Sequence, residues 1–280
     1  AAVKNYTHET LEEMHLQLRS GQFQRLILTG MGGSYFAAYP TWLRLLQNGL
    51  PAWWTDTSEL LHFYPELVGP DSLLWVISQS GASAEIQSLL RRQQSPFPPT
   101  VLGVTNYPDS PLGKQAHAAL ELHVGDEFTV STGTYVATLA VQALACAQLL
   151  GEPVEPVRER LLGMAEAAEA YLNDWEQHVQ AWTEVLGLPQ RLMVIGRGPS
   201  YAAAKTAALI TKESAKFPVE GMTAAQFRHG PLEMADERLS VIVLAGSGPT
   251  REMNEKLALE LRRYGAKVVW LDTQPHPHLP

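Results

Sequence analysis

The chain has 280 residues, 45% of them apolar, and a formal net charge of −8 from 21 basic and 29 acidic residues. That composition supports substantial buried cores, so disorder is not the default, and the lack of a Lys/Arg run argues against nucleic acid or an anionic membrane as partner. One cysteine, Cys146, leaves no internal disulfide or cysteine metal cluster, and its apolar setting reads as a buried, inert thiol.

In chain order, Ala1 to Arg19 is polar and reads as a helix, not a signal sequence. Arg25-Leu26-Ile27-Leu28-Thr29 is a short apolar strand, and Gly30-Met31-Gly32-Gly33-Ser34 is a glycine turn into a small-residue helix with Ser34 as N-cap. The same turn resembles a dinucleotide fingerprint. The acid near the end of the second strand, Asp56 or Glu59, comes later than the usual ribose-binding spacing of about 20 residues. A turn in which glycine serves packing alone is the plain reading beside it.

Leu74-Trp75-Val76-Ile77 is the next strand, and Ser78-Gln79-Ser80-Gly81-Ala82-Ser83 leads from it into a helical run, Ala84 to Arg92. Backbone N–H groups and several hydroxyls gather there at a helix start, which suits an anion, and Gly81 allows close backbone approach. A Ser-rich turn with an ordinary N-cap is the competing account. No GxxxxGK[ST] string occurs, so a P-loop nucleotide site is disfavoured.

Val101 to Thr105 is a further strand, followed by a Pro-rich loop, a strand at Ala119–Val124 and an apolar helix at Tyr135–Leu150. That helix contains Gln142 and Gln148 and is shorter than the roughly 20 residues of a membrane span, so it is expected to be a buried helix. Glu152 to Pro156 closes the first half, and Val157 to Leu186 reads as a helical bridge.

The second half repeats the first. Arg191-Leu192-Met193-Val194-Ile195-Gly196-Arg197-Gly198-Pro199-Ser200-Tyr201 lies over Arg25 to Tyr35 at an offset of 166 residues. Val241 to Glu252 lies over Leu74 to Glu85, and Val268 to Asp272 over Val101 to Thr105, both at an offset of 167. Apolar strands separated by helices imply parallel sheets covered on both faces. The expected fold class is therefore α/β: two tandem, doubly wound, flavodoxin-like αβα sandwich lobes with ligands at the carboxyl ends of their strands. Lobe one with its N-terminal helix covers 1–150, a helical connector 151–186 and lobe two 187–280. After Asp272 the string Pro275 to Pro280 follows, so lobe two is expected to lack its last strand and helix, through truncation or true abbreviation. Its turn, Gly246-Ser247-Gly248-Pro249-Thr250, has fewer donors than its counterpart, which predicts one phosphate site per chain. Lobe two also offers Lys212-Glu213 near the end of a helix that Pro218 terminates, and Arg228-His229-Gly230-Pro231 after a loop. A Glu base and a His acid/base suit proton shuffling in a sugar, while a solvated helix face and a turn histidine are the plain alternatives.

These strings, with Gly32-Gly33-Ser34-Tyr35, Glu127 and Val130-Ser131-Thr132, resemble the sugar isomerase (SIS) domain family. The specific likeness, from about Arg25 onward, is to its double-SIS members, the isomerase half of glucosamine-6-phosphate synthase and related phosphosugar isomerases and deaminases. The resemblance implies SIS-type lobes in which Ser78, Gln79, Ser80 and Ser83 hold the sugar phosphate. It implies that Gly33 and Ser34 belong to the adjoining binding loop and that Val130 and Ser131 line the sugar. It makes Glu213 the base moving a proton between C1 and C2, and His229 the ring-opening group, supplied in such relatives by a neighbouring subunit. A cytoplasmic homodimer follows, with sugar phosphate as partner, no nucleic acid or membrane, and no metal or organic cofactor.

Where relatives have Thr, Lys and Lys, this chain has Gly33, Gly133 and Ile210. A glutaminase domain is not part of the sequence, so glutamine is not expected as nitrogen donor. The activity implied is isomerase or deaminase chemistry on a ketose or amino-sugar 6-phosphate of the fructose-6-phosphate or glucosamine-6-phosphate type. A non-catalytic sugar-phosphate sensor is the alternative, and a dinucleotide-dependent oxidoreductase, resting on the Gly30 turn, the remote one.

Overall fold

The structure is a computed structural model that describes residues 1–6, 9–91, 95–96, 98–274 and 276–279. The chain divides into two compact units, Ala1–Glu166 and Ala167–Pro280.

The first unit opens with α1 (Ala2–Asn5) and α2 (Thr10–Arg19), then alternates strand and helix. In order come β1 (Arg25–Gly30), α3 (Gly33–Gln47), β2 (Ala52–Asp56), α4 (Thr57–His62), β3 (Ser72–Ile77), α5 (Ala84–Leu90), β4 (Thr100–Thr105), α6 (Pro111–Gln115), β5 (Ala118–Glu121) and α7 (Gly133–Leu149). Arg92, where the α5 run was expected to end, lies outside the described residues. The sheet order is β2-β1-β3-β4-β5 with every pairing parallel, the flavodoxin-like doubly wound arrangement.

Strand β3 shows why its sequence has no polar alternation: all six residues are buried. Leu73, Trp75 and Ile77 enter a core with residues of α2, α3 and α7. Leu74 and Val76 enter a second core with Leu60, Ile86, Leu89, Leu90 and Leu112 from α4, α5 and α6. Each face thus removes a row of aliphatic side chains from water, at about 1.5–3 kcal/mol per large side chain.

Some boundaries differ from expectation. Strand β5 ends at Glu121, not Val124, because His123 turns to φ 50° and Val124 pairs with the Asn106 side chain in both directions. Helix α7 begins at Gly133, two residues early, because the Glu127 carboxylate accepts from the Gly133 and Thr134 N–H groups. Burial pushes the Cys146 thiol up to about 12, which agrees with an inert core residue.

The expected helical bridge is two helices, α8 (Val154–Asn173) and α9 (Trp175–Leu186), broken at Asp174. In the second unit follow β6 (Arg191–Gly196), α10 (Ser200–Ala215), β7 (Val219–Thr223), α11 (Ala224–Phe227), β8 (Leu239–Leu244), α12 (Arg251–Arg263) and β9 (Lys267–Leu271). Its parallel sheet has the order β7-β6-β8-β9, the first four positions of the first sheet's order. Val241 and Val243 pack with α11 and α12, while Val194 packs with Ala204 and Ala208 of α10. The duplication reaches ion pairs: Arg25 holds Asp71 with both carboxylate oxygens at 2.6 and 2.7 Å, and Arg191 holds Asp236 at the matching place.

Candidate functional site

The order β2-β1-β3 makes β1 and β3 neighbours whose following connections run to opposite faces, the crevice where open α/β sheets take ligands. Gly30 ends β1 where a Cβ would stand 2.8 Å from the Ile77 carbonyl and 3.1 Å from Ser34 Cβ, so glycine lets the two strand ends and Ser34 close together. The turn after β1 and the turn after β3 therefore share this crevice.

Ser34 is not the N-cap the sequence suggested. Helix α3 starts at Gly33 with Gly32 at the cap, and α10 likewise starts at Ser200 itself, with no side-chain cap at either. Gly32 adopts φ 54°, which glycine accommodates readily and which starts the helix one residue earlier. Ser34 is consequently spared capping duty. A side chain on Gly33 would meet no atom within 4 Å.

The β3–α5 turn is held from beneath by its own backbone and by the end of β4. Gly81 N–H donates to the Ser78 carbonyl and to Ser78 Oγ, both at 3.1 Å. The Gln79 carbonyl accepts from Asn106 N–H at 3.0 Å and from Thr105 Oγ1 at 3.1 Å. Gly81 has φ 61°, and a Cβ there would lie 2.1 Å from Ser110 Oγ and 2.8 Å from Thr105 Oγ1. Only glycine fits. Ser110, in turn, caps α6 by accepting from Gly113 N–H.

What this scaffold leaves exposed is the donor surface. Ser78 is buried, Gln79 and Ser83 are half-buried and Ser80 is exposed. Ser80 Oγ accepts from Ala82 N–H at 3.3 Å, and Ser83 Oγ caps α5 by accepting from Ile86 N–H at 3.4 Å. No described backbone carbonyl takes the N–H groups of Ser80, Ser83 or Ala84. Beside them, the Glu85 carboxyl is held below its usual range by its own backbone N–H and then by the Ser83 hydroxyl. Glu85 therefore leans on donors that an incoming anion would also want.

Val130 and Ser131 lie in the loop between β5 and α7, Val130 half-buried and Ser131 exposed. Glu127 anchors that loop, and its carboxyl lies below the usual range. Burial opposes that shift, but hydrogen bonds from backbone N–H groups, among them those of Gly133 and Thr134, outweigh it. The two Asn106–Val124 bonds, at 2.7 and 2.8 Å, connect this loop to the backbone that supports Gln79. Among the described residues no hydrogen bond joins Ser131 directly to the β3–α5 turn. Asp56, the acid weighed for a ribose, instead caps α4 by accepting from Glu59 N–H at 2.8 Å.

Glu213 and His229 belong to the second unit. Glu213 is exposed in the last turn of α10, where Lys216 Nζ donates to its carbonyl. His229 is exposed just after α11, with its N–H on the Gln226 carbonyl at 2.9 Å, and Gly230 follows at φ 130°. Neither side chain has a described hydrogen-bond partner, so neither is committed to a structural bond inside its own unit. Thr105, Asn106 and Ser110, which shape the turn from below, were missed in the sequence reading. Their position at and just after the end of a strand that pairs with β3 is the signal that could have found them. Among the described residues no cluster of three or more His, Cys, Asp or Glu could hold a metal ion, and no helix is long and apolar enough to cross a membrane.

Two repeated, doubly wound parallel sheets with a hydroxyl-lined turn at the first sheet's switch point define a tandem α/β sandwich protein. The chain belongs to the SIS domain family, whose model matches residues 22–147 and 189–279. It is similar to the glutamine–fructose-6-phosphate aminotransferase (isomerizing) of Zymomonas mobilis, with 28% identity over 262 residues, covering 90% of this chain. The chain spans only 43% of that relative's length. Among solved structures, the C-terminal domain of glucosamine-fructose-6-phosphate aminotransferase from Francisella tularensis superposes with a TM-score of 0.82 at 20% identity, over 96% of this chain and 79% of that one. Tagatose-6-phosphate ketose/aldose isomerase from Escherichia coli superposes at 0.76 and 23% identity, over 95% of this chain and 75% of that one.

Proposed function

We propose that the chain binds the phosphate of a ketose or amino-sugar 6-phosphate in the β3–α5 turn and catalyses proton transfer between C1 and C2 of the open-chain sugar. The observation that carries this reading is the turn itself. Ser80 and Ser83 hydroxyls and the N–H groups of Ser80, Ser83 and Ala84 lie together over a backbone that Gly81, Thr105 and Ser110 hold fixed. Charge-assisted bonds from such donors to a phosphate are each worth about 1.5–3 kcal/mol.

In this reading Gly33 and Ser34 border the phosphate, and Val130 and Ser131 line the sugar. His229 moves a proton between the ring oxygen and the anomeric hydroxyl, which opens the ring. Glu213 then removes the proton next to the carbonyl or imine, electrons flow onto that group, and the enediol or enolamine is reprotonated at the neighbouring carbon. His229 comes from a second subunit, so the working form is a homodimer in the cytoplasm. The sequence domains 1–150, 151–186 and 187–280 are the functional divisions of this proposal.

Solvent-proton exchange tests the chemistry. In deuterium oxide, fructose 6-phosphate or glucosamine 6-phosphate should acquire deuterium at C1 or C2 with the full chain present. Glu213→Gln should stop exchange while leaving ligand affinity unchanged; exchange that continues in that variant contradicts the mechanism. Binding without exchange in the unaltered chain would identify a sugar-phosphate sensor instead.

A further inference from the structure

The second sheet repeats the β1/β3 crevice at the carboxyl ends of β6 and β8, where the turn has fewer hydroxyl donors than its counterpart after β3. At the place of Met31 stands Arg197, whose Nε donates to Asn254 Oδ1 at 3.0 Å. Asn254 is fully buried on α12, and its Nδ2 donates to the Leu244 and Ala245 carbonyls at 3.2 and 3.0 Å. One buried amide thereby ties the guanidinium to the end of β8.

The two turns do meet. A Cβ on Gly246 would stand 3.5 Å from Ser200 Oγ and 3.9 Å from Asn254 Nδ2. Gly246 and Gly248 adopt φ 69° and 76°, left-handed positions that glycine takes readily, so the backbone turns sharply between β8 and α12. No described carboxylate pairs with Arg197. Arg228 is near enough to disfavour its charge, second to burial, and Arg228 itself is balanced by Glu260 at 2.5 Å. Arg197, Arg228 and Glu260 together leave one uncompensated positive charge in a chain of net charge −8. A fixed guanidinium with both terminal nitrogens available is suited to two parallel bonds to one anion.

We propose that the second unit carries its own anion site at the carboxyl ends of β6 and β8, in which Arg197, positioned by Asn254, takes a phosphoryl group together with the Ser200 and Ser247 hydroxyls. The first unit holds phosphate by hydroxyls and amides, and the second by a guanidinium. The site is built from second-unit residues alone, so its occupancy does not rest on the chemistry proposed for the β3–α5 turn.

Inorganic phosphate is the probe, titrated into the full chain while amide resonances are followed by NMR. The amides of Gly198, Ser247 and Gly248 should shift with phosphate in the unaltered chain and equally in Ser80→Ala/Ser83→Ala, which disables the first unit's turn. Arg197→Gln should weaken that response by at least about tenfold, with Arg197→Lys, which keeps the charge but not the fork, intermediate. Should Arg197→Gln not fold, the Lys variant carries the comparison. Shifts that persist undiminished in the Arg197 variants overturn the proposal. So does a chain whose second-unit amides ignore phosphate while Arg197→Gln lowers the oligomer mass, because Arg197 would then serve a carboxylate of another subunit.

Discussion

The Ser110 hydroxyl fills the space that a side chain on Gly81 would need, since a Cβ there would lie 2.1 Å from Ser110 Oγ. Gly81 also sits at φ 61°, so Gly81→Ala combines left-handed strain with overpacking. The expected cost is about 2–4 kcal/mol in denaturant unfolding, together with loss of phosphate-ligand binding. Gly81→Ala/Ser110→Gly should recover only part of the stability, because it removes the Ser110 clash but leaves the Thr105 Oγ1 contact and the strain, and gives up the Ser110 cap of α6.

Ser80 and Ser83 should separate binding from folding. Ser83 caps α5, so Ser83→Ala should lower stability by about 1 kcal/mol as well as weakening a hexose 6-phosphate. Ser80 accepts only from Ala82 N–H in a two-residue turn, so Ser80→Ala should weaken the ligand by about tenfold with little change in melting temperature. Parallel calorimetric and thermal melts check both.

Glu85 shares its neighbours with the proposed ligand. Removing its charge by Glu85→Gln should tighten hexose 6-phosphate binding by about two- to fivefold at low ionic strength, with the gain fading as salt rises. Weaker binding in that variant would mean that Glu85 supports the turn more than it repels the anion.

Glu127 gives a pH signature. Its carboxyl is below the ordinary 4.5 in the folded chain, so its contribution is present above that pH and is lost as pH falls through the lower folded value. The unaltered chain should therefore lose stability below about pH 4.5 more steeply than Glu127→Gln, which is less stable at neutral pH but flatter in acid. Melting temperatures from pH 3 to 7, roughly bracketing that window, measure the difference.

The sheets were legible because buried parallel strands leave unbroken apolar runs, and Leu74 to Ile77 and Val241 to Leu244 are such runs in repeated register. Helix starts were less legible. Ser34 and Ser200 look like caps by residue type, yet glycine or proline ahead of them starts the helix early, while α7 is capped by Glu127 from six residues upstream. The turn at Ser78 could be read from its hydroxyls, but the Thr105, Asn106 and Ser110 contacts that rigidify it come from the end of β4 and the loop into α6, more than 20 residues away. Arg197 escaped notice because its meaning depends on Asn254, 57 positions later, and no local pattern joins the two.

The central claim is that the β3–α5 turn grips the phosphate of a sugar phosphate. Calorimetric titration of the full chain with fructose 6-phosphate, set against fructose and against Ser80→Ala/Ser83→Ala, tests it most directly. Saturable binding of the phosphate ester, none of the free sugar and a loss of about 100-fold in the double variant are expected. Equal affinity for fructose and its phosphate, or an unchanged affinity in the double variant, would contradict it.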